Sequence, residues 1–310
     1  MKGKTAFLNT ERFVKEGKWP PSMRLVNELR RAYLDRISDV DEGGIPGDVV
    51  PTGFPSLNGV LSGGIHKGHL IVLAGRPGMG KTALAQQIAV NVAESGRSAI
   101  FYSLEMPSLE VMERVISRHS GISVPHLKMA NLRPIDYPLL VEAIESFSKL
   151  PLLVDDASFD VDTMIKNAKT ATACLAALKL PPLGAIFVDY LQLIDSKAKK
   201  STENISQIIA AFKRLARELN VAVVVLSQLS CDLEMRHDKR PRMSDFSESG
   251  SIEEDADLVL FVYRDEYYNP RSADKGVAEI IVAKNRYGAV TNVRLVFVGE
   301  RILFRDIAHK

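Results

Sequence analysis

The hydrophobic rhythm of this chain changes three times along its length. Residues 1–21 show no apolar period and end at Trp19-Pro20-Pro21, which stops any helix, so they read as an N-terminal arm. From residue 22 the pattern is helical. Val26, Leu29, Tyr33 and Ile37 recur at spacings of three, four and four, one apolar stripe on a helix over 22–38 with Ser22 as its cap. Charged residues, among them Arg24, Glu28, Arg30, Arg31, Asp35 and Arg36, occupy the other faces. Asp41-Glu42-Gly43-Gly44-Ile45-Pro46-Gly47 is a flexible linker by composition, so residues 22–47 form one helix-and-linker segment. Such a helix folds back on its own domain or docks on a neighbouring copy; the residues alone slightly favour the first.

From about residue 50 the chain alternates strand and helix, as a parallel sheet with crossover helices requires. Strands are predicted over Leu70–Ala74, Ser98–Leu104, Pro151–Val154, Ala185–Asp189 and Val221–Ser227. Helices fit Leu109–Arg118, Pro138–Phe147, Val161–Ala177 and Glu203–Leu219. In the last of these, Ile205, Ile208, Ile209, Phe212, Leu215 and Leu219 share one face. From residue 257 the pattern turns to strands without helices, Asp257–Tyr263, Val277–Ala283 and Val293–Phe297, an antiparallel extension at one sheet edge. The expectation is an α/β domain over residues 48–310, a mostly parallel central sheet with flanking helices.

Composition adds limits. With 310 residues, 46% hydrophobic and 25% charged, the chain suits one large domain plus an appendage. A net charge of +2 means that any basic surface is local. Cys174 and Cys231 lack a CxxC pairing and read as small core or loop residues in a reducing compartment. The apolar runs are strand-sized and no signal peptide is evident, so a cytoplasmic chain without a membrane segment is expected.

The sharpest chemistry is Gly75-Arg76-Pro77-Gly78-Met79-Gly80-Lys81-Thr82, a G-x-x-x-x-G-K-T loop between the first predicted strand and a helix opening at Ala83. Its glycines let backbone N–H groups close on phosphate oxygens, Lys81 places a cation at the β- and γ-phosphates, and Thr82 offers a hydroxyl to Mg²⁺. The chain is expected to bind a nucleoside triphosphate. Asp189 ends the apolar strand Ala185–Val188 and suits a Mg²⁺-shell carboxylate. Glu105, after the next strand in order, either activates a water at the γ-phosphate or caps the helix beyond Pro107. Gln228 stands at a core strand tip, as a γ-phosphate sensor or as a residue bonding solvent. Lys284 and Arg286, two apart, point to one side of a strand end. They guard a solvated edge or reach phosphates across a subunit interface.

Taken together with the loop, five strings resemble the motifs of DnaB-type replicative DNA helicases, in their order. They are Leu104-Glu105-Met106, Asp189-Tyr190-Leu191-Gln192-Leu193, Leu226-Ser227-Gln228-Leu229-Ser230, the run from Glu248 to Asp257, and Lys284-Asn285-Arg286. The resemblance covers about residues 22–306 and includes the linker helix. It implies a RecA-like P-loop NTPase that forms a homo-hexameric ring and moves 5′ to 3′ on single-stranded DNA using ATP and Mg²⁺. By position it makes Lys81 and Thr82 the phosphate and Mg²⁺ contacts, Asp189 the Walker B acid and Glu105 the catalytic base. Gln228 would couple nucleotide state to DNA, and Arg114 would pack on the adenine. Lys284 and Arg286 would reach the neighbour's γ-phosphate, Arg286 as the finger. It also reverses the docking preference: the linker helix is expected on a neighbouring subunit.

Two departures qualify this. The family's usual Arg before Glu-Ser-Gly is Ser247 here, leaving Glu248 and Gly250 to present backbone N–H groups to DNA. Lys197, Lys199 and Lys200 either supply other cations for DNA or form a solvated run. Only about twenty residues precede the linker helix, so the family's N-terminal collar is expected to be absent, which puts a primase contact in doubt. Two rival readings are a recombinase-like DNA-dependent ATPase that does not unwind, and a ring-forming loading or regulatory module. Intact Lys81, Thr82, Glu105, Asp189 and Arg286 argue against a module that cannot hydrolyse.

Overall fold

A computed structural model of the chain describes residue 23 and residues 26–41, 46–194, 202–246 and 249–307. The N-terminal arm, Ser22, Lys197, Lys199, Lys200, Ser247 and Glu248 lie outside these residues. The chain divides into two units, residues 1–47 and 48–310. In the first, helix α1 spans Val26–Asp41, three residues beyond its predicted end because no breaker precedes Gly43. Val26, Leu29, Tyr33 and Ile37 on its stripe are between 43% and 84% exposed.

The second unit opens with strand β1 (Val49–Val50), helix α2 (Pro55–Val60) and strand β2 (Ile65–His66), the two strands pairing antiparallel. The main sheet then draws on β3 (Leu70–Gly75), β4 (Ser98–Ser103), β5 (Leu152–Asp155), β6 (Leu183–Asp189), β7 (Ala222–Gln228), β8 (Leu258–Tyr263), β9 (Val277–Asn285), β10 (Asn292–Val298) and β11 (Leu303–Asp306). Between them run α3 (Lys81–Glu94), α4 (Ser108–Ser120), α5 (Val124–Lys128), α6 (Asp136–Ser148), α7 (Val161–Ala177), α8 (Thr202–Leu219), α9 (Ser249–Asp255) and α10 (Asp265–Tyr268). The sheet order is β11-β10-β9-β8-β3-β7-β6-β4-β5. From β8 to β5 every pairing is parallel, and β9, β10 and β11 extend the sheet antiparallel. The expected parallel centre with an antiparallel edge is therefore present.

Alternation along the strands divides the core into two layers. Leu70 and Val72 of β3, Ile186 of β6 and Val223 of β7 face Met164 and Ala168 of α7 and Ile209, Phe212 and Leu215 of α8. Their neighbours Ile71, Leu73, Phe187 and Val224 face Leu84, Ile88 and Val92 of α3 and Leu57 of α2. Each of the larger side chains among these, fully buried, contributes about 1.5–3 kcal/mol of transfer free energy. The strands are buried on both faces, which is why they read as continuous apolar runs. Helix α7 starts where Asp160 accepts the Thr163 N–H at 2.8 Å, a side-chain cap.

Two expectations need correction. The stretch after residue 257 is not free of helix, because the one-turn α10 follows β8. Cys174 is neither core nor loop: it lies exposed on α7, and Cys231 is also exposed. Among the described residues no helix is long and apolar enough to cross a membrane.

Candidate active site

The phosphate loop hangs between the two most central strands. Gly75, the last residue of β3, pairs with Gln228, the last of β7, so loop and amide emerge side by side. Gly78 and Gly80 have φ of +78° and +99°, and a Cβ on them would come within 2.7 Å of the Tyr267 ring and 2.9 Å of Phe304. Glycine is required at both. Gly80 turns the chain straight into α3, so the first N–H groups of the helix, Lys81, Thr82 and Ala83, face the loop's concavity as an anion site. Met79 is 1% exposed and anchors the loop in the core, while Pro77 and Gly78 lie outside. The Arg76 side chain turns away from the loop, its Nε 2.8 Å from Glu234 and its Nη1 donating to Leu229 O at 2.9 Å. Only the Arg76 backbone remains with the candidate phosphate-binding residues; its carbonyl accepts from Lys81 Nζ at 3.1 Å.

Four strand ends converge on Lys81. Asp189 of β6 pairs with Ser103 of β4 and takes the Leu104 N–H on its carbonyl at 2.8 Å, so Asp189 and Glu105 stand next to each other. Asp189 is 1% exposed, and its Oδ2 has no hydrogen-bond partner. Burial pushes its carboxyl up to about 6, against the Thr82 hydrogen bond and the charges of Lys81 and Arg114, with Glu105 adding to the rise. Burial likewise pulls Lys81 down to about 8, Asp189 and Glu105 opposing and Arg76 assisting. An unmet carboxylate oxygen beside a threonine hydroxyl is a fitting pair for a divalent cation, which needs few protein ligands when phosphates supply the rest.

Glu105 is exposed and does not cap α4. The Ser108 N–H at that helix start is taken by Asp156 Oδ2 at 2.7 Å, which removes the capping alternative. Instead its charge acts on Lys81, Asp189, Arg114 and Tyr190. Gln228 is not a solvent-bonded strand tip either. Its side chain bonds the Tyr190 phenol, and its backbone is gripped by Gln192, whose Oε1 accepts the Gln228 N–H at 3.2 Å. The Gln192 Nε2 donates to Ser227 Oγ at 3.0 Å and to the Gln228 carbonyl at 3.3 Å. Residue-by-residue reading missed Gln192, although it stands inside the Asp189–Leu193 string.

Lys284 and Arg286 are elsewhere. Asn285 pairs with Leu258, which pairs with Ile71, so Arg286 stands level with the beginning of β3. That is about 13 Å below Gly75 along the strand and about 10 Å across two strands. Both side chains donate to the end of α9, Lys284 to the Glu253 carbonyl and Arg286 to that of Glu254. Arg286 also lies 3.7 Å from buried Asp257. Gly250 is exposed near the start of α9.

An ionised Asp189 is unfavourable in its buried position. Its folded pKa lies above the ordinary 3.8, so its contribution to stability is complete below about pH 4 and is lost as pH rises through about 6. Asp189→Asn is expected to stabilise the nucleotide-free protein at pH 7.5 by up to about 3 kcal/mol, with no gain near pH 4. Urea unfolding at the two pH values checks this. Equal stabilities at pH 7.5 would mean that Lys81 and Arg114 compensate the carboxylate in full.

Comparison with known proteins follows the same lines. A family model described as "DnaB-like helicase C terminal domain" matches residues 49–306. The chain is 42% identical over 266 residues to "Replicative DNA helicase DnaB" of Geobacillus stearothermophilus, which covers 84% of this chain and 57% of that protein. It is 37% identical over 310 residues to the protein of that name from Haemophilus influenzae, covering 98% and 65%. The chain thus spans under two thirds of the length of these relatives. Among solved structures, that of a DnaB-like replicative helicase, described together with its interactions with primase, superposes with a TM-score of 0.80 at 34% identity, over 94% of this chain and 68% of that one.

Proposed function

Since this chain belongs to the DnaB-like helicase C-terminal domain family, we propose that it is the ATP-driven motor of a ring helicase acting on single-stranded DNA. One observation carries the reading: in a single copy the residues proposed for one site stand at opposite ends of the sheet. Lys81, Thr82, Asp189, Glu105 and Gln228 gather at the carboxyl end, and Lys284 and Arg286 at the other. A chain built this way completes its chemistry when the Arg286 end of one copy meets the phosphate loop of the next, as in a closed ring. Six copies are the number the family resemblance implies. The apolar stripe of α1, which a lone helix cannot bury, is proposed to dock on a neighbouring copy.

In that ring the α3 N-terminus and Lys81 bind the triphosphate of ATP. Thr82 and Asp189 would hold Mg²⁺, which would supply positive charge against the phosphates. Glu105 takes the proton from the attacking water, and Arg286 of the adjacent copy stabilises the charge that develops on the γ-phosphoryl group. Gln228, clamped by Gln192, senses that group from the strand tip. Lys197, Lys199, Lys200 and the segment Ser247, Glu248, Gly250 are proposed to hold the DNA backbone, without sequence preference. The family resemblance implies movement 5′ to 3′.

A forked duplex with a 5′ single-stranded tail tests this. With ATP and Mg²⁺ the strands are expected to separate, more slowly as salt rises, and Lys81→Ala to abolish separation. Hydrolysis stimulated by single strands without strand separation would replace this proposal with the recombinase-like reading.

A further inference from the structure

Lys213 is a cation that the proposed chemistry leaves unused, and it reaches the carboxylate beside Arg286. It stands on α8 with its side chain 13% exposed, and its Nζ donates to Asp257 Oδ2. The Asp257 side chain, just before β8, is 2% exposed. The same Oδ2 accepts the Leu70 N–H at 2.8 Å. Its other oxygen, Oδ1, faces Arg286 Nη1 at 3.7 Å, an ion pair beyond hydrogen-bond distance.

The backbone of Arg286 is fixed, while its guanidinium is held only loosely by charge. The Arg286 N–H donates to the Asp257 carbonyl at 2.9 Å. The next residue, Tyr287, stacks on His69 with ring centroids 4.5 Å apart, and its N–H donates to Asn285 Oδ1 at 3.1 Å. The guanidinium donates to the Glu254 carbonyl, a neutral acceptor. A bidentate guanidinium–carboxylate pair would hold it far more firmly, because both partners would be ionised. A carboxylate as buried as Asp257 needs a counter-charge. Lys213 supplies that charge from α8, so Asp257 has no need to draw it from Arg286.

We infer that Lys213 is a positioning residue for the arginine proposed to act on the neighbouring copy. By occupying Asp257, it leaves the Arg286 guanidinium close to its resting contacts yet free to leave them. Those contacts must open before the guanidinium can reach another copy's phosphate, so tightening them lowers the fraction of copies ready to act. The inference rests on the proposed role of Arg286 in trans and adds what sets its readiness.

Steady-state ATP hydrolysis by the full chain with Mg²⁺ and single-stranded DNA tests it in Lys213→Met, which keeps an apolar stem and removes the charge. Arg286 is then expected to pair fully with Asp257, lowering kcat by about 10–100-fold, the effect of one charge-assisted hydrogen bond that must break, with KM little changed. Adding Asp257→Asn, whose amide oxygen can still take the Leu70 N–H, is expected to restore most of the lost turnover. The defect should lie in the copy that donates the arginine. Mixing Lys213→Met with Lys81→Ala creates interfaces that pair an intact loop with an unhindered Arg286, so turnover is expected to rise above that of either variant alone. A wild-type kcat in Lys213→Met overturns the inference, as does a loss carried by KM. So does a rate that Asp257→Asn fails to restore, or a co-assembled mixture that shows no gain. A Lys213→Met chain that does not fold overturns it too, because Arg286 would then have failed to take up the carboxylate. Wild-type turnover in Arg286→Ala would remove the trans role and this inference with it. A loss in Arg286→Ala with none in Lys213→Met would overturn the Lys213 assignment alone.

Discussion

Arg286→Ala is expected to bind ATP nearly as well as wild type and to hydrolyse it about 10³–10⁵-fold more slowly, the range measured where an arginine finger is removed. Arg286 lies level with Ile71 and two strands away from it, so its side chain cannot extend to the γ-phosphate held by its own loop. It is 41% exposed and held by the α9 carbonyl end and Asp257, a resting contact at the surface. The deciding measurement mixes Arg286→Ala with Lys81→Ala. Each is inactive alone, yet a mixed ring contains interfaces that pair an intact loop with an intact finger, and there turnover is expected to return. Mixtures that co-assemble and stay at the level of the separate variants would assign Arg286 to the fold of its own chain.

Glu105→Gln is expected to keep nucleotide binding and lose about 10²–10⁴-fold in turnover, because an amide cannot take the proton of the attacking water. The geometry isolates the effect. Asp156 makes the helix cap, so the substitution leaves α4 intact. It also removes a negative charge that acts on both Asp189 and Lys81, raising the first and opposing the fall of the second. Single-turnover hydrolysis in the presence of DNA separates a slow chemical step from slow product release. Turnover at the wild-type rate would remove Glu105 from the chemistry.

How far the sequence reveals this molecule depends on the range of the interaction concerned. Strands β4, β6 and β7 are buried on both faces, so they show as apolar runs with clear ends. Helix α7 is legible at both ends, since Asp160 caps it locally and its period is regular. The phosphate loop is legible because its chemistry is contiguous. What escapes is whatever a distant residue decides. Strand β11 has only four residues, too few to show a period, and is held to α3 by Gln87, 217 positions earlier. Position alone leaves Glu105 a cap or a base, and it is Asp156, 48 residues from Ser108, that takes the capping contact. The grip of Gln192 on Gln228 spans 36 residues and has no periodic signature.

The central place of β3 also governs how the chain can be made. Its ladder partners are β7 and β8, so the strand that carries the phosphate loop is synthesised about 150 residues before the first of them and about 185 before the second. At about 5–20 residues per second, Leu70–Gly75 leaves the ribosome roughly 8–30 s before Ala222–Gln228 follows. Through that interval an apolar strand has two open edges and no sheet to join. The order of synthesis thus leaves the strand that carries the phosphate loop unpaired until late, and makes the candidate site one of the last parts of the chain to become whole.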